Sequence, residues 1–323
     1  MSIPIGHDVA HAAALLKSNE LVAIPTETVY GLGANGLSPN AVAKIFAAKN
    51  RPFFDPLILH VAQFSAIEQL VQTVPSQAKL LAEAFCPGPL TLVLPKSNLV
   101  PDIVTSGLPN VAIRIPQHPL ALELLRAVDI PVAAPSANLF GQLSPTTAKH
   151  VADQLGEDVS YILDGGPCSI GVESTVLQLA IDEKTPPLLL RLGGMTLEQI
   201  EEVIGEVAIP NPKAHPSTMA QPAPGMLPKH YAPQKPLLLV KEIESYLPDC
   251  PTGLLTLQSV PNIERFTAVE VLSESGDLIE ATAHFFAALH RLQKMEIEQI
   301  IAVPFPEKGL GRALNDRLAR ASD

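Results

Sequence analysis

The sequence predicts an α/β protein in two parts. A large N-terminal twisted mixed sheet with helices is followed by a proline-rich linker and a small C-terminal α/β, Rossmann-like three-layer domain. Three observations predict this. Apolar runs of strand length alternate with helical patterns through residues 1–207, the signature of a sheet covered by helices. Residues 208–236 then hold eight of the 32 prolines, which excludes a helix or a central strand and leaves a semi-extended tether. Strand and helix patterns resume over 237–323.

Taken in order, the N-terminal strand-like runs are Leu21–Pro25, Leu57–Val61, Leu90–Leu94, Val111–Ile115, Pro131–Ala134, Tyr161–Leu163, Thr175–Leu179 and Leu188–Arg191. Ser38 before Pro39 is an N-cap and first-turn pair for a helix reaching about Ala48. Thr196-Leu197-Glu198-Gln199 is a capping box opening a helix to about Glu206. Some neighbouring strands have no helix between them, so antiparallel pairs are expected and the sheet is mixed. In the C-terminal part, strands are expected near Leu237–Val240, Gly253–Leu257 and Ile300–Val303. Helices are expected near Asp277–Lys294 and Gly311–Ala321.

The chain is 323 residues long and 47% hydrophobic, enough to bury a substantial core. No apolar run reaches the roughly 18 residues that span a bilayer. The segment Met1 to Ala14 carries His7, Asp8 and His11 and lacks the basic-then-apolar layout of a signal peptide. A cytoplasmic protein without membrane contact is expected. Cys86, Cys168 and Cys250 are far apart and form no disulfide framework. The net charge is −11, which argues against broad electrostatic binding of nucleic acid but allows a local cationic pocket.

Lys49-Asn50-Arg51-Pro52 and Ser136-Ala137-Asn138 carry the sharpest chemical signal. In an extended segment Lys49 and Arg51 would leave the same face, and so would Ser136 and Asn138. Brought together, these donors would suit a polyanion such as a nucleoside triphosphate. Gly31-Leu32-Gly33-Ala34-Asn35-Gly36 is formally GxGxxG. The preceding strand ends too early and the following helix starts too late for a dinucleotide fingerprint. No GxxxxGK[ST], metal-ligand cluster or nucleophile elbow is present. Positioning and charge stabilisation are therefore expected in place of covalent catalysis. Pro25-Thr26-Glu27-Thr28, Ala134-Pro135-Ser136-Ala137-Asn138 and Gly171-Val172-Glu173-Ser174-Thr175 each adjoin a predicted strand end, where open α/β sheets bind ligands. With Leu143-Ser144-Pro145-Thr146, Lys49, Arg51, Arg114 and Arg191 they suggest a cleft of hydroxyls, backbone N–H groups and cations.

These same segments resemble the YrdC-like family. The matching stretches are Ile24-Pro25-Thr26-Glu27-Thr28-Val29-Tyr30-Gly31-Leu32-Gly33, Ala48-Lys49-Asn50-Arg51-Pro52, Pro56-Leu57, Pro87-Gly88-Pro89-Leu90-Thr91, Arg114-Ile115-Pro116, Ala134-Pro135-Ser136-Ala137-Asn138 and Glu173-Ser174-Thr175-Val176. The KxR and SxN pairs are the hallmark. Pro224-Gly225-Met226, His230-Tyr231-Ala232-Pro233 and Gly309-Leu310-Gly311-Arg312-Ala313-Leu314-Asn315-Asp316-Arg317-Leu318 are similar to the linker and C-terminal domain of the family's two-domain threonylcarbamoyl-AMP synthases. The chain departs at Phe53-Phe54-Asp55, where many members have Asp-Asn before the proline, and at Asn110, where Thr or Ser is usual.

The resemblance implies an enzyme that makes threonylcarbamoyl-adenylate from L-threonine, bicarbonate and ATP with Mg²⁺, releasing pyrophosphate for tRNA threonylcarbamoyladenosine modification. It implies Lys49, Arg51, Ser136 and Asn138 as catalytic residues around the ATP phosphates. Ser144, Arg191 and Tyr231 are further nucleotide contacts. Thr26, His60, Arg114, Ala134 and Ser174 would hold threonine. No protein-held metal site is expected. The implied partners are downstream threonylcarbamoyl-transfer proteins, with tRNA contact weak or indirect. The alternatives are a YrdC-type RNA-binding module and a carbamoyl-transfer protein such as those of hydrogenase maturation.

Overall fold

The computed structural model describes residues 3–182, 185–210 and 230–322. Ten strands form the N-terminal sheet: β1 (Ile5–Gly6), β2 (Val22–Ile24), β3 (Gly31–Asn35), β4 (Ile58–His60), β5 (Leu90–Pro95), β6 (Asn110–Arg114), β7 (Val132–Ala133), β8 (Tyr161–Leu163), β9 (Thr175–Gln178) and β10 (Leu188–Arg191). Their order is β1-β8-β2-β3-β7-β4-β6-β5-β9-β10. Pairs β1/β8, β2/β8, β4/β6 and β5/β9 are parallel and the remainder antiparallel, so the sheet is mixed. One face packs on helices Val9–Lys17 and Pro119–Val128 through Ala12, Leu16, Leu124 and Leu125. The other buries a larger core that includes Tyr30, Phe46, Leu57 and Ile113.

The glycine-rich Gly31–Asn35 segment is strand β3, antiparallel to β2 with Ile24 opposite Gly31. This strand is absent from the sequence expectations, because glycine weakens a strand and usually marks close approach. Close approach is what the structure shows. A Cβ on Gly33 would lie 3.0 Å from the Val22 carbonyl oxygen, and one on Gly36 2.5 Å from Leu59 Cδ2. Helix Pro39–Lys49 begins at its expected cap, with Ser38 Oγ accepting the Ala41 N–H at 3.3 Å. Helix Leu197–Ile204 carries the full capping box of Thr196 and Gln199.

The C-terminal sheet is wholly parallel: β11 (Leu237–Leu239), β12 (Thr252–Thr256), β13 (Ala268–Val271) and β14 (Gln299–Ala302), in the order β11-β14-β12-β13. Strand β13 has the weakest pattern, AVEV half-buried throughout, and sequence reading did not find it. Successive residues face opposite ways. Leu255 and Ile300 meet Phe285, Phe286, Leu289, Leu314 and Leu318 of helices Leu278–Leu292 and Leu310–Ala321. Leu254 and Ile301 instead meet Ile243 and Phe266 from turns. Helices thus cover one face and turns the other. The helical side is continuous with Val29, Leu143, Val172 and Tyr231, so the two parts share a core.

Most of the expected 208–236 linker, including Pro224-Gly225-Met226, lies outside the described residues. Of its described part, Ala208 bridges to Leu188. Farther on, the Ala232 N–H donates to the Gly141 carbonyl at 2.8 Å.

Candidate functional site

Lys49 and Arg51 do not lie in an extended segment. Lys49 ends a helix, and Asn50 caps it in the left-handed region at φ 52°, a conformation that asparagine tolerates better than most residues. That reversal turns both cations inward, leaving Lys49 1% and Arg51 6% exposed. Lys49 Nζ donates to the Ser136 carbonyl at 2.6 Å and to that of Asn138. Burial, with Arg51 beside it, pushes the Lys49 pKa well down. Arg51 donates through Nε to the Asp55 carbonyl at 3.1 Å and through Nη2 to that of Pro56 at 2.9 Å. It also pairs with the Asp55 carboxylate at 2.9 Å.

Strand register assembles the next group. His60 on β4 is opposite Arg114 on β6, which is opposite Thr91 on β5. Arg114 donates to the Gly88 carbonyl at 3.2 Å, Thr28 Oγ1 at 2.8 Å and Glu27 Oε1 at 2.6 Å. Those three bonds engage Nε and one N–H on each terminal nitrogen of a five-donor guanidinium, leaving two N–H groups unengaged among the described residues. Burial and the Arg114 charge lower the His60 pKa to about 3, so its imidazole is neutral. Ser174, where β9 begins, shares a hydrogen bond with Thr91 Oγ1 at 2.7 Å. Arg191, at the end of β10, donates to the Ser174 carbonyl through Nε at 3.1 Å and Nη2 at 2.9 Å. Thr26 Oγ1 donates to the Val29 carbonyl at 2.6 Å and accepts from the Thr28 N–H at 3.2 Å, closing a tight turn.

These groups surround one cavity of about 40 Å³. Of the residues expected from the sequence, Thr26, Arg51, His60, Arg114, Ala134, Ser136, Ser174, Arg191 and Tyr231 line it. Lys49, Asn138 and Ser144 stand behind that wall. Lys49 clamps the Ser136–Asn138 turn from below. The Asn138 amide donates to the Leu139 and Gln142 carbonyls at 2.8 and 2.9 Å, and Ser144 Oγ donates to Glu173 Oε1. Tyr231 is buried with its ring centroid 4.1 Å from that of His230. Burial and the surrounding Arg51, Lys49, Arg317 and Arg191 charges hold the His230 pKa far below its usual value. The Tyr231 hydroxyl and His230 Nδ1 are buried with no hydrogen-bond partner among the described residues.

Sequence reading did not single out Thr28, Glu173 or His230 as site residues, although each stands within a segment it quoted. Arg317 and Glu27 were also outside its site set. Their signal is a partner distant in sequence: Glu27 meets Arg114 at 2.6 Å and Glu173 meets Arg317 at 2.8 Å. Burial raises the Glu173 pKa, but Arg317 and Arg191 outweigh it and hold the carboxyl below its ordinary range. Arginines and neutral hydroxyl donors thus converge at strand ends, around one opening. Such a surface can hold phosphates and a carboxylate, and stabilise charge developing between them.

Comparison with known proteins agrees with this geometry. A family model for Sua5, YciO and YrdC, described as "Telomere recombination", matches residues 14–193, and one for the C-terminal domain of threonylcarbamoyl-AMP synthase matches 195–323. The chain is 43% identical to the threonylcarbamoyl-AMP synthase of Pyrococcus abyssi, covering 96% of this chain and 93% of that protein. It is 44% identical to that of Bacillus subtilis, covering 97% and 92%. The crystal structure of P. abyssi Sua5 complexed with L-threonine superposes with a TM-score of 0.91, at 41% identity, over 100% of this chain and 97% of the other.

Proposed function

Because the chain belongs to the Sua5, YciO and YrdC family, we propose that its cleft makes threonylcarbamoyl-AMP. The enzyme is a nucleotidyltransferase. It joins L-threonine, bicarbonate and ATP, releases pyrophosphate, and its product serves the threonylcarbamoyladenosine modification of tRNA. The observation that carries this reading is the convergence of Arg51, Arg114 and Arg191 with Thr26, Ser136 and Ser174 on one cavity. The threonine amine adds to CO₂ with loss of a proton, or to bicarbonate with loss of water, giving a carbamate. A carbamate oxygen then attacks the α-phosphorus of ATP and pyrophosphate leaves. Both partners are anions, so the work of the site is proximity and charge neutralisation.

We assign Arg51, Ser136, Arg191 and Tyr231 to the nucleotide, with Lys49, Asn138 and Ser144 shaping its pocket. Thr26, His60, Arg114, Ala134 and Ser174 are assigned to threonine. The two unused donors of Arg114 suit the amino-acid carboxylate, and its pairing with Glu27 fixes the guanidinium plane. Glu27 and Glu173 are each engaged by an arginine, and among the described residues no three His, Cys, Asp or Glu side chains cluster to cage a metal. Mg²⁺ is assigned to the triphosphate, as part of the substrate. The buried His230-Tyr231 pair lines the cavity; its movement outward would admit substrate, and its return would exclude water from the adenylate. Among the described residues no helix is long and apolar enough to cross a membrane; a cytoplasmic setting and the downstream threonylcarbamoyl-transfer proteins, with at most indirect tRNA contact, complete the reading.

The test is pyrophosphate release with each substrate omitted in turn. Release should require all three together. Release without threonine, or without bicarbonate, contradicts the assignment.

A further inference from the structure

We propose that Arg317, in the C-terminal domain, is a positioning residue of the catalytic cleft, holding the Glu173 carboxylate and the Tyr231 ring in place for nucleotide binding. The proposal rests on the reading of the cleft given above and gives the C-terminal domain a part in substrate binding.

Arg317 belongs to helix Leu310–Ala321 and is 0% exposed. Each of its three guanidinium nitrogens donates a hydrogen bond. Nε donates to Glu173 Oε2 at 2.8 Å, Nη1 to Asp316 Oδ2 at 2.6 Å, and Nη2 to the Leu192 carbonyl at 2.8 Å. Its face lies over Tyr231, with the guanidinium carbon 4.8 Å from the ring centroid. One planar cation thus grips two partners of different kinds at once, which a lysine ammonium cannot reproduce.

Both grips end in the cavity wall, which Glu173 and Tyr231 line. Glu173 passes the contact on, since its other oxygen accepts from Ser144 Oγ. Without Arg317, Glu173 would be a buried carboxylate short of its nearest cation, beside the place assigned to the triphosphate. Such an undercompensated charge, left with only the more distant influence of Arg191, is costly and repels a polyanion. An ion pair that served folding alone would have no reason to favour one substrate over the other. This one touches the nucleotide side of the cleft, through Ser144 and Tyr231.

The test compares the full chain with Arg317→Gln, Arg317→Lys, Glu173→Gln and the Arg317→Gln/Glu173→Gln double variant. Melting curves establish folding, and calorimetry reads ATP and threonine affinity separately. Arg317→Gln should weaken ATP binding by about tenfold or more while threonine affinity stays within about threefold. The double variant should recover ATP affinity relative to Arg317→Gln, because the undercompensated carboxylate is gone. Arg317→Lys should fall between wild type and Arg317→Gln. Equal losses for both ligands, or a lowered melting temperature with both affinities intact, overturn the proposal. If Arg317→Gln does not fold, Arg317→Lys decides alone, and an ATP affinity equal to wild type overturns it. A wild-type chain that binds ATP but releases no pyrophosphate refutes the catalytic reading and leaves the ATP–threonine split to decide the role of Arg317. A wild-type chain that binds no ATP refutes both.

Discussion

Arg51 is held on one side by Asp55 and the Asp55 and Pro56 carbonyls, and it lines the cavity on the other. That posture needs no rearrangement when a phosphate arrives, which is the condition for strong charge stabilisation. Arg51→Ala should therefore lower pyrophosphate release by about 10²–10³ and also cost about 3–5 kcal/mol of stability, because it leaves the buried Asp55 carboxylate without its cation. Near-normal turnover would remove Arg51 from the site. Lys49 differs, because its ammonium already serves two carbonyls. Lys49→Ala should cost similar activity and also about 1–3 kcal/mol of stability for the carbonyls left unpaired, readable in a denaturant titration. Arg114 is the residue assigned to the threonine carboxylate, so Arg114→Ala should weaken threonine binding far more than ATP binding. Calorimetry showing equal losses contradicts that assignment. The KxR spacing was legible as chemistry in the sequence. Its geometry was not, because the left-handed Asn50 that aims both side chains inward is a choice made by the packing around the helix end.

At the scale of elements, helices Ala148–Leu155 and Leu278–Leu292 join the two parts of the chain through a histidine pair. His150 and His290 stack with ring centroids 3.9 Å apart and planes 19° from parallel. His290 Nε2 lies 3.1 Å from the Ser144 carbonyl. Lys294 reaches across to Asp153 at 2.7 Å, while Lys149 pairs with Asp153 and Arg291 with Glu270 close by. Burial, then His290 and Lys294, lowers the His150 pKa to about 3, and burial lowers that of His290 to about 4. The unfolded chain, with histidines near pKa 6.5, binds more protons than the folded one between those values. The contribution to stability is thus complete above about pH 6.5 and is lost as pH falls toward 4. His150→Phe keeps a ring in the stack and removes one titration. Its melting temperature should fall less steeply than wild type's between pH 7 and 4, and parallel curves would show that the pair does not carry the dependence. Helix starts at Ser38 and Thr196 were readable because capping is local. Strands β3 and β13 were not, since glycine and a half-buried AVEV run become strands only when neighbours pair with them.

Across the whole molecule, the C-terminal domain shares a core with Val29, Leu143 and Val172 of the N-terminal domain. It also supplies Arg317 to Glu173 and His290 to Ser144. Truncation after Val207 keeps every assigned contact except Tyr231, yet it uncovers that apolar surface and leaves Glu173 without Arg317. The truncated chain should melt at lower temperature and release the adenylate, or hydrolyse it, faster than the full chain. Trapping the adenylate in time-resolved samples checks this, and equal formation and retention by both chains would make the C-terminal part a passive attachment.

The sequence by itself determined the α/β class, most of the strands, the capped helices after Ser38 and Thr196, and the segments from which the cleft is built, because hydrophobic period, caps and motif residues are properties of neighbours along the chain. Only the tertiary structure decided which side chains line the cavity and which stand behind it. It alone joined Arg317 to Glu173 across 144 residues and aligned His60, Arg114 and Thr91 in register. Such pairings depend on the approach of distant segments, whose geometry is set by burial of a shared core and leaves no mark in local spacing.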